Sequence, residues 1–173
     1  MQEFQMKTAL ISDIPELVLL INSAYRGECS KQGWTTEADL IEGDRMNAGS
    51  LTEMINSPDV IIRKCVDSHS TIVGCVYLEI KHDELYVGLL TVKPEIQANG
   101  IGKFILSDAE DVARKRGLSV LMLDVISLRK ELIDYYIRRG FSLTGKKWEF
   151  PTDNKFDSRP LQLLELVELK KYI

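Results

Sequence analysis

Histidine is scarce and cysteine is odd in number. The chain carries His69 and His82, with Cys29, Cys65 and Cys75. Neither CxxC nor a paired-histidine spacing is present. That argues against a metal site, because such sites gather ligands at short, regular intervals. It also argues against a disulfide framework, so a reducing, cytoplasmic setting is expected. Cys65 and Cys75 fall in apolar runs and are expected to pack as small hydrophobes. No apolar run approaches the roughly 20 residues that a membrane span needs. The opening stretch MQEFQMKTAL has no signal-peptide pattern, so export is not expected. Positive charge is in deficit: 22 Lys and Arg against 26 Asp and Glu give a net charge of −4. Nucleic acid is not an expected partner, since phosphate binding wants a basic face. Internal repeats and low-complexity linkers are lacking too.

What is present fits one soluble globular domain over residues 1–173. Hydrophobic residues at 45% and charged residues at 28% are ordinary for that class. The informative stretch is Glu84 to Gly117. Leu85 to Val92 is nearly unbroken apolar, as in a strand covered on both faces. Pro94 stops it. A helix is expected from Ile101 to Lys115, with Ile101, Phe104, Ile105, Ala109 and Val112 at helical spacing and Gly117 as the stop. Between the two lies Gln97-Ala98-Asn99-Gly100-Ile101-Gly102-Lys103. Glycines at a helix start let a ligand approach the backbone, and first-turn N–H groups point outward. Such a turn suits phosphate.

The turn is not a Walker A loop. Gln97 stands at the first glycine position, and Phe104 follows Lys103 where Ser or Thr is needed. Nor is it the dinucleotide fingerprint, because Ile105 occupies the third glycine position. It matches Q/R-x-x-G-x-G/A after a strand ending Val92-Lys93-Pro94, and so resembles the coenzyme A turn of the GNAT acetyltransferases. Downstream, Tyr136-Ile137-Arg138-Arg139-Gly140-Phe141 is similar to that family's tyrosine, three residues and Gly-Phe. Together the two matches span about Tyr77 to Phe141.

The remaining elements follow from periodicity. A strand is expected at Phe4 to Ile11, then a helix to Tyr25 opened by an Asp13/Glu16 capping box, with Leu17, Leu20, Ile21 and Ala24 on one side. Tyr25 to Gly49 reads as a long polar segment with a brief helical signal at Thr36 to Ile41. Ser50 and Glu53 read as a second capping box, opening a helix to Asn56. Val60 to Val66 and Ile72 to Ile80 read as a hairpin turning at Asp67 to Ser70. Val120 to Ile126 is a buried strand, and Glu131 to Arg139 a helix closed by Gly140. Phe141 to Phe150 and Leu161 to Lys170 read as an antiparallel pair joined by the turn-rich loop of residues 151–160. The resemblance implies the GNAT fold, in the α/β (mixed α+β) class. Its central sheet is mixed and mostly antiparallel, of about seven strands, with helices on both faces.

The resemblance further implies acetyl transfer from acetyl-coenzyme A to an amine, with no metal. The N–H groups of Gln97, Ala98, Asn99, Gly100, Ile101, Gly102 and Lys103 would grip the diphosphate. The splayed strands near Leu90, Thr91 and Val92 and near Asp124 to Ile126 would admit the pantetheine arm, with Val92 pairing to it. The N–H of Leu90 would face the thioester carbonyl, a donor role worth about 3–4 kcal/mol. Tyr136 occupies the place of the acid that protonates the leaving thiolate, and Tyr135 that of a packing neighbour. The family's usual glutamate base position falls on Tyr86. Glu79 and Asp124 are the substitutes, with Glu84 behind them. Arg129 stands where many members carry asparagine beside the arm. It would reach either the coenzyme or an acidic acceptor.

In this family the segment after the first helix covers the acceptor. Tyr25, Arg26, Trp34, Glu37 and Arg45 are therefore candidate acceptor contacts. For Trp34 the competing reading is a residue that pins the loop to the core. The preferred function is acetylation of a small-molecule amine by a monomer or homodimer. A peptide or protein acetyltransferase and a non-catalytic acyl-coenzyme A sensor are the alternatives.

Overall fold

The computed structural model describes residues 3–152 and 158–173. Its strands are β1 (Gln5–Thr8), β2 (Ile41–Glu42), β3 (Val60–Val66), β4 (Ile72–Lys81), β5 (Glu84–Val92), β6 (Val120–Ile126), β7 (Ser142–Glu149), β8 (Arg159–Pro160) and β9 (Glu165–Tyr172). Its helices are α1 (Ile14–Tyr25), α2 (Gly27–Ser30), α3 (Ala48–Asn56), α4 (Ile101–Lys115) and α5 (Lys130–Arg138). The main sheet has seven strands in the order β1-β3-β4-β5-β6-β9-β7. Every pairing is antiparallel except β5 with β6. The class and sheet expected from the sequence are the ones found. β2 and β8 form a small separate pair.

Two cores flank the sheet. On one side, Ile101, Ile105 and Ala109 of α4 and Ile133 of α5 pack on Val76, Leu78, Leu85 and Val87. On the other, Leu17, Leu20 and Ile21 of α1 and Leu51 of α3 pack on Ile62, Cys75 and Leu89. Leu85, Val87 and Leu89 share one parity, yet Leu89 lies in the opposite core. A bulge explains this. The β4–β5 register slips between Cys75 and Tyr77, and Leu89 has φ +48°. A one-residue slip exchanges the faces of a strand, so Leu90 and Val92 now pack where Leu85 and Val87 did.

Several local expectations are corrected. The first strand is shorter, and Ile11 to Asp13 form a 3-10 turn instead. Asp13 does not cap α1. Its carboxylate accepts the Leu10 N–H at 2.7 Å and pairs with Lys64 at 2.7 Å. Glu16 accepts the Ile72 N–H rather than closing a box. Helix α3 begins earlier, because Asn47 takes the cap and accepts the Ser50 N–H at 2.8 Å. Thr36 to Ile41 contains a turn and not a helix, while the short α2 precedes it. Phe104 is exposed, outside the buried stripe of α4. The capping role of Gly117 is seen: it has φ +70°, and the N–H groups of Gly117 and Leu118 return to Arg114 and Ala113. Of the loop expected at 151–160, residues 153–157 lie outside the described part.

Candidate active site

β5 and β6 pair only at Leu85 with Leu121 and Tyr86 with Met122. Beyond Tyr86 the strands diverge, and the bulge leaves Leu89 and Leu90 without partners in β4. Two cavities fill the gap and share the wall made by Tyr25, Leu90, Arg129, Leu132 and Tyr136.

The first cavity encloses about 140 Å³ and runs to the glycine turn, touching Ala98, Gly100, Gly102 and Lys103. None of the backbone N–H groups of residues 98–103 donates to a described residue. Gly100 has φ +81°, and a Cβ there would meet open space. A Cβ on Gly102 would stand 2.6 Å from the Tyr135 hydroxyl. An open row of donors at the positive end of a helix, with bare backbone, fits a diphosphate. Asn99 turns back to donate to Ile96 O at 3.1 Å. The Ile101 side chain is buried in the core, so it can serve only through its backbone.

Two sequence candidates meet over this cavity. Gln97 donates to Val92 O at 3.1 Å, and its Oε1 accepts the Trp34 N–H at 3.1 Å. The Trp34 ring lies 5.3 Å from that of Tyr135. Trp34 thus packs against α5, and it lines the first cavity rather than the larger one. Thr91 is buried and donates to Leu89 O at 2.8 Å, holding the bulge. Tyr25 donates to Leu90 O at 3.1 Å, which fixes the peptide beside the shared wall.

Tyr136 lies between edge-on Tyr135 and Phe141 rings, at 5.4 and 5.6 Å. Its hydroxyl makes no hydrogen bond to a described residue. Burial, and then the neighbouring Tyr25, hold its pKa well above the usual phenol value. It is a protonated phenol at neutral pH.

The second cavity encloses about 490 Å³ on the other side of Leu90. Its charged lining residues are Arg26, Arg45, Arg129, Glu37 and Asp124. Glu37, Arg26 and Arg129 form a buried triad. Arg26 Nε donates to Glu37 Oε2 at 3.0 Å, and Arg129 Nη1 to Glu37 Oε1 at 3.0 Å. Arg26 is therefore tied up, bonding Gly43 O and Ser158 Oγ as well. Arg129 also donates to Thr35 Oγ1 at 2.6 Å, and its buried Nε, without a hydrogen-bond partner among the described residues, lies 3.8 Å from Glu131 Oε1. Asn22 of α1 accepts the Arg45 and Met46 N–H groups, which anchors Arg45 at the cavity.

Asp124 receives the Tyr86 hydroxyl at 3.2 Å. Burial raises its pKa above the ordinary carboxylate value, against the lowering effects of Tyr86, Lys81 and Arg45. Glu79 lies elsewhere. It lines neither of these cavities but a third, adjoining one, where it accepts Tyr77 at 3.0 Å and pairs with Lys81 at 3.1 Å. Glu84 pairs with Lys170 at the far end of β5. Of the alternatives to the missing glutamate, Asp124 alone faces the larger cavity. The thiols of Cys65 and Cys75 are pushed by burial to about 11 and about 12, which leaves them inert.

The Gln97 link, the triad and the Tyr86–Asp124 bond were missed by sequence reasoning. Each joins residues far apart in the chain, and no local spacing reports them.

Solved structures with this fold are numerous. The ribosomal-protein-S18-alanine N-acetyltransferase from Escherichia coli superposes with TM-score 0.71 at 15% identity, over 99% of this chain and 94% of that one. The PaiA N-acetyltransferase from Thermoplasma acidophilum, solved with coenzyme A, gives 0.66 at 17% identity over 99% of each chain. The IAA acetyltransferase from Bacillus cereus gives 0.66 at 14%, over 99% and 100%. At these identities the likeness is one of fold. No sequence match is found among curated proteins. The family model of the acetyltransferase (GNAT) family matches residues 22–141, from within α1 to the end of the tyrosine motif. The chain belongs to the GNAT acetyltransferase family.

Proposed function

We propose that the chain, as one domain, transfers an acetyl group from acetyl-coenzyme A to a primary amine of a small molecule by direct attack. The observation that carries this reading is the meeting of two cavities at Leu90 and Tyr136, one reaching the glycine turn and the other holding Asp124. The coenzyme supplies an activated thioester. The chain supplies binding, orientation and proton movements. The free N–H groups of residues 98–103 hold the diphosphate. Asp124 takes a proton from the entering ammonium, so the amine attacks as a neutral nucleophile. The N–H of Leu90 donates to the carbonyl oxygen as negative charge gathers there. Tyr136 gives its proton to the departing thiolate, and the phenolate, basic because burial raises its pKa, takes up the second proton that the nitrogen sheds as the amide forms. The unpaired Cys29, Cys65 and Cys75 support a reducing compartment such as the cytoplasm.

A thiol-release assay with acetyl-coenzyme A and a panel of small amines and short peptides tests this. Release that depends on a small amine is expected. Release with peptides alone would favour a peptide acceptor. Tight coenzyme binding without any release would favour a sensor.

A further inference from the structure

The charge balance of the larger cavity is the feature that acetyl transfer leaves unexplained. The chain as a whole is negative, at −4. Among the described residues this cavity is lined by three arginines against two carboxylates. Glu37 serves two of those arginines at once, each at 3.0 Å. The second positive charge of the triad is met by Glu131, whose Oε1 lies 3.8 Å from Arg129 Nε, so the cation of this cavity without a carboxylate partner among the described residues is Arg45. Arg129 is 6% exposed and lies on the wall shared by both cavities, with its three guanidinium nitrogens turned to Glu37, Thr35 and Glu131. Arg45 forms no ion pair with a described residue, and its guanidinium lies 5.4 Å over the Tyr25 ring. A partly buried guanidinium that faces a cavity without a carboxylate partner has donors to spare for an acceptor. At the other end, Asp124 is the group that faces an ammonium. Its carboxyl feels the positive charge of Arg45, so the two lie within electrostatic reach.

We propose that the acetylated molecule is an amino acid: its carboxylate is held by Arg45, and its amine is presented to Asp124. This rests on the acetyltransferase reading and narrows its acceptor. Arginine suits the task, because a planar fork matches a carboxylate. The cavity volume of about 490 Å³ leaves room for a side chain as well, within the range of about 300–1,000 Å³ common for small-ligand sites. Arg45 lines the acceptor cavity and not the coenzyme one, so its loss separates the two substrates.

The test uses the full chain and the twenty proteinogenic amino acids, each beside its decarboxylated amine and its carboxamide. At least one acid should be acetylated with kcat/KM tenfold or more above both partners. Arg45→Gln should shrink that preference at least tenfold, chiefly through KM for the acid, with coenzyme affinity by calorimetry unchanged. Arg45→Lys should restore part of it. Equal use of acids, amines and amides, or a preference that survives Arg45→Gln, would overturn the proposal and leave the acetyltransferase reading standing. If no acceptor releases thiol, the same amino acids are titrated into the coenzyme A complex. Binding that Arg45→Gln abolishes would uphold the carboxylate site while the transferase reading falls. No binding by any of the twenty would overturn both.

Discussion

Tyr86 donates its hydroxyl to Asp124 across the point where β5 and β6 separate, at 3.2 Å. Tyr86 is the last residue of β5 paired to β6, so the bond spans the opening of the cleft. It gives a tyrosine at the family's glutamate position a definite task. It holds a carboxylate of the next strand in place.

On the proposed mechanism, removing that carboxylate removes the base. Asp124→Asn should lower kcat/KM at neutral pH by about 10²-fold or more. The acid limb of the pH profile should vanish with it. In the parent protein that limb lies above the ordinary carboxylate value, because burial raises the Asp124 pKa. The Tyr86 bond lowers it, so Tyr86→Phe should move the limb to higher pH. Stability follows the same linkage. A carboxyl whose native pKa is raised contributes stability below its unfolded value, and loses it as pH rises through the native one. Asp124→Asn should flatten that decline in urea unfolding measured across the window.

Tyr136 should act on turnover and not on binding. Tyr136→Phe keeps the ring between Tyr135 and Phe141, so the core stays filled. At least a tenfold drop in kcat is expected, with the calorimetric affinity for coenzyme A within threefold. An unaltered kcat would reassign the hydroxyl to packing.

The two glycines of the turn should fail differently. A side chain on Gly102 collides with the Tyr135 hydroxyl, whereas one on Gly100 enters open space at φ +81°. Gly102→Val should displace Tyr135 and weaken coenzyme binding at least tenfold. Gly100→Ala strains the backbone, at a cost of about 1 kcal/mol in unfolding. Denaturant midpoints and calorimetry distinguish the two.

Glu37 holds two buried cations together. Glu37→Ala leaves the buried Arg26 without its counter-charge and Arg129 with only the 3.8 Å contact to Glu131. A loss of about 3–5 kcal/mol is expected in urea unfolding. Arg26→Met leaves Glu37 still paired with Arg129, and should cost less.

What the chain discloses by local pattern, and what it hides, can be told from particular residues. Ile101 to Lys115, Val60 to Val66 and Val120 to Ile126 have the bounds that periodicity sets, because each carries its own stop signal. The caps were misread at Ser50 and Asp13. A nearer residue, Asn47, took the first cap, and a distant Lys64 together with the Leu10 N–H drew off the second. The glycine turn was legible because its geometry, with Gly100 at φ +81° and the N–H groups of residues 98–103 free among the described residues, follows from local residue types. The face exchange at Leu89 was not, since an apolar run covered on both sides looks the same with or without a bulge. Nor was the division of labour among charges. Glu79 and Asp124 are alike in sequence, and only the sheet order, which puts β6 on the far side of β5 from β4, places one of them at the larger cavity.

Gln97 already occupies Val92 O and the Trp34 N–H. An amide-bearing arm laid along that edge of β5 meets a seat already taken. If it uses Val92 O, it swaps one hydrogen bond for an equivalent one, and the exchange is close to thermoneutral. Net affinity would then reside in the phosphate end, while the middle of the ligand reports its arrival by freeing Trp34.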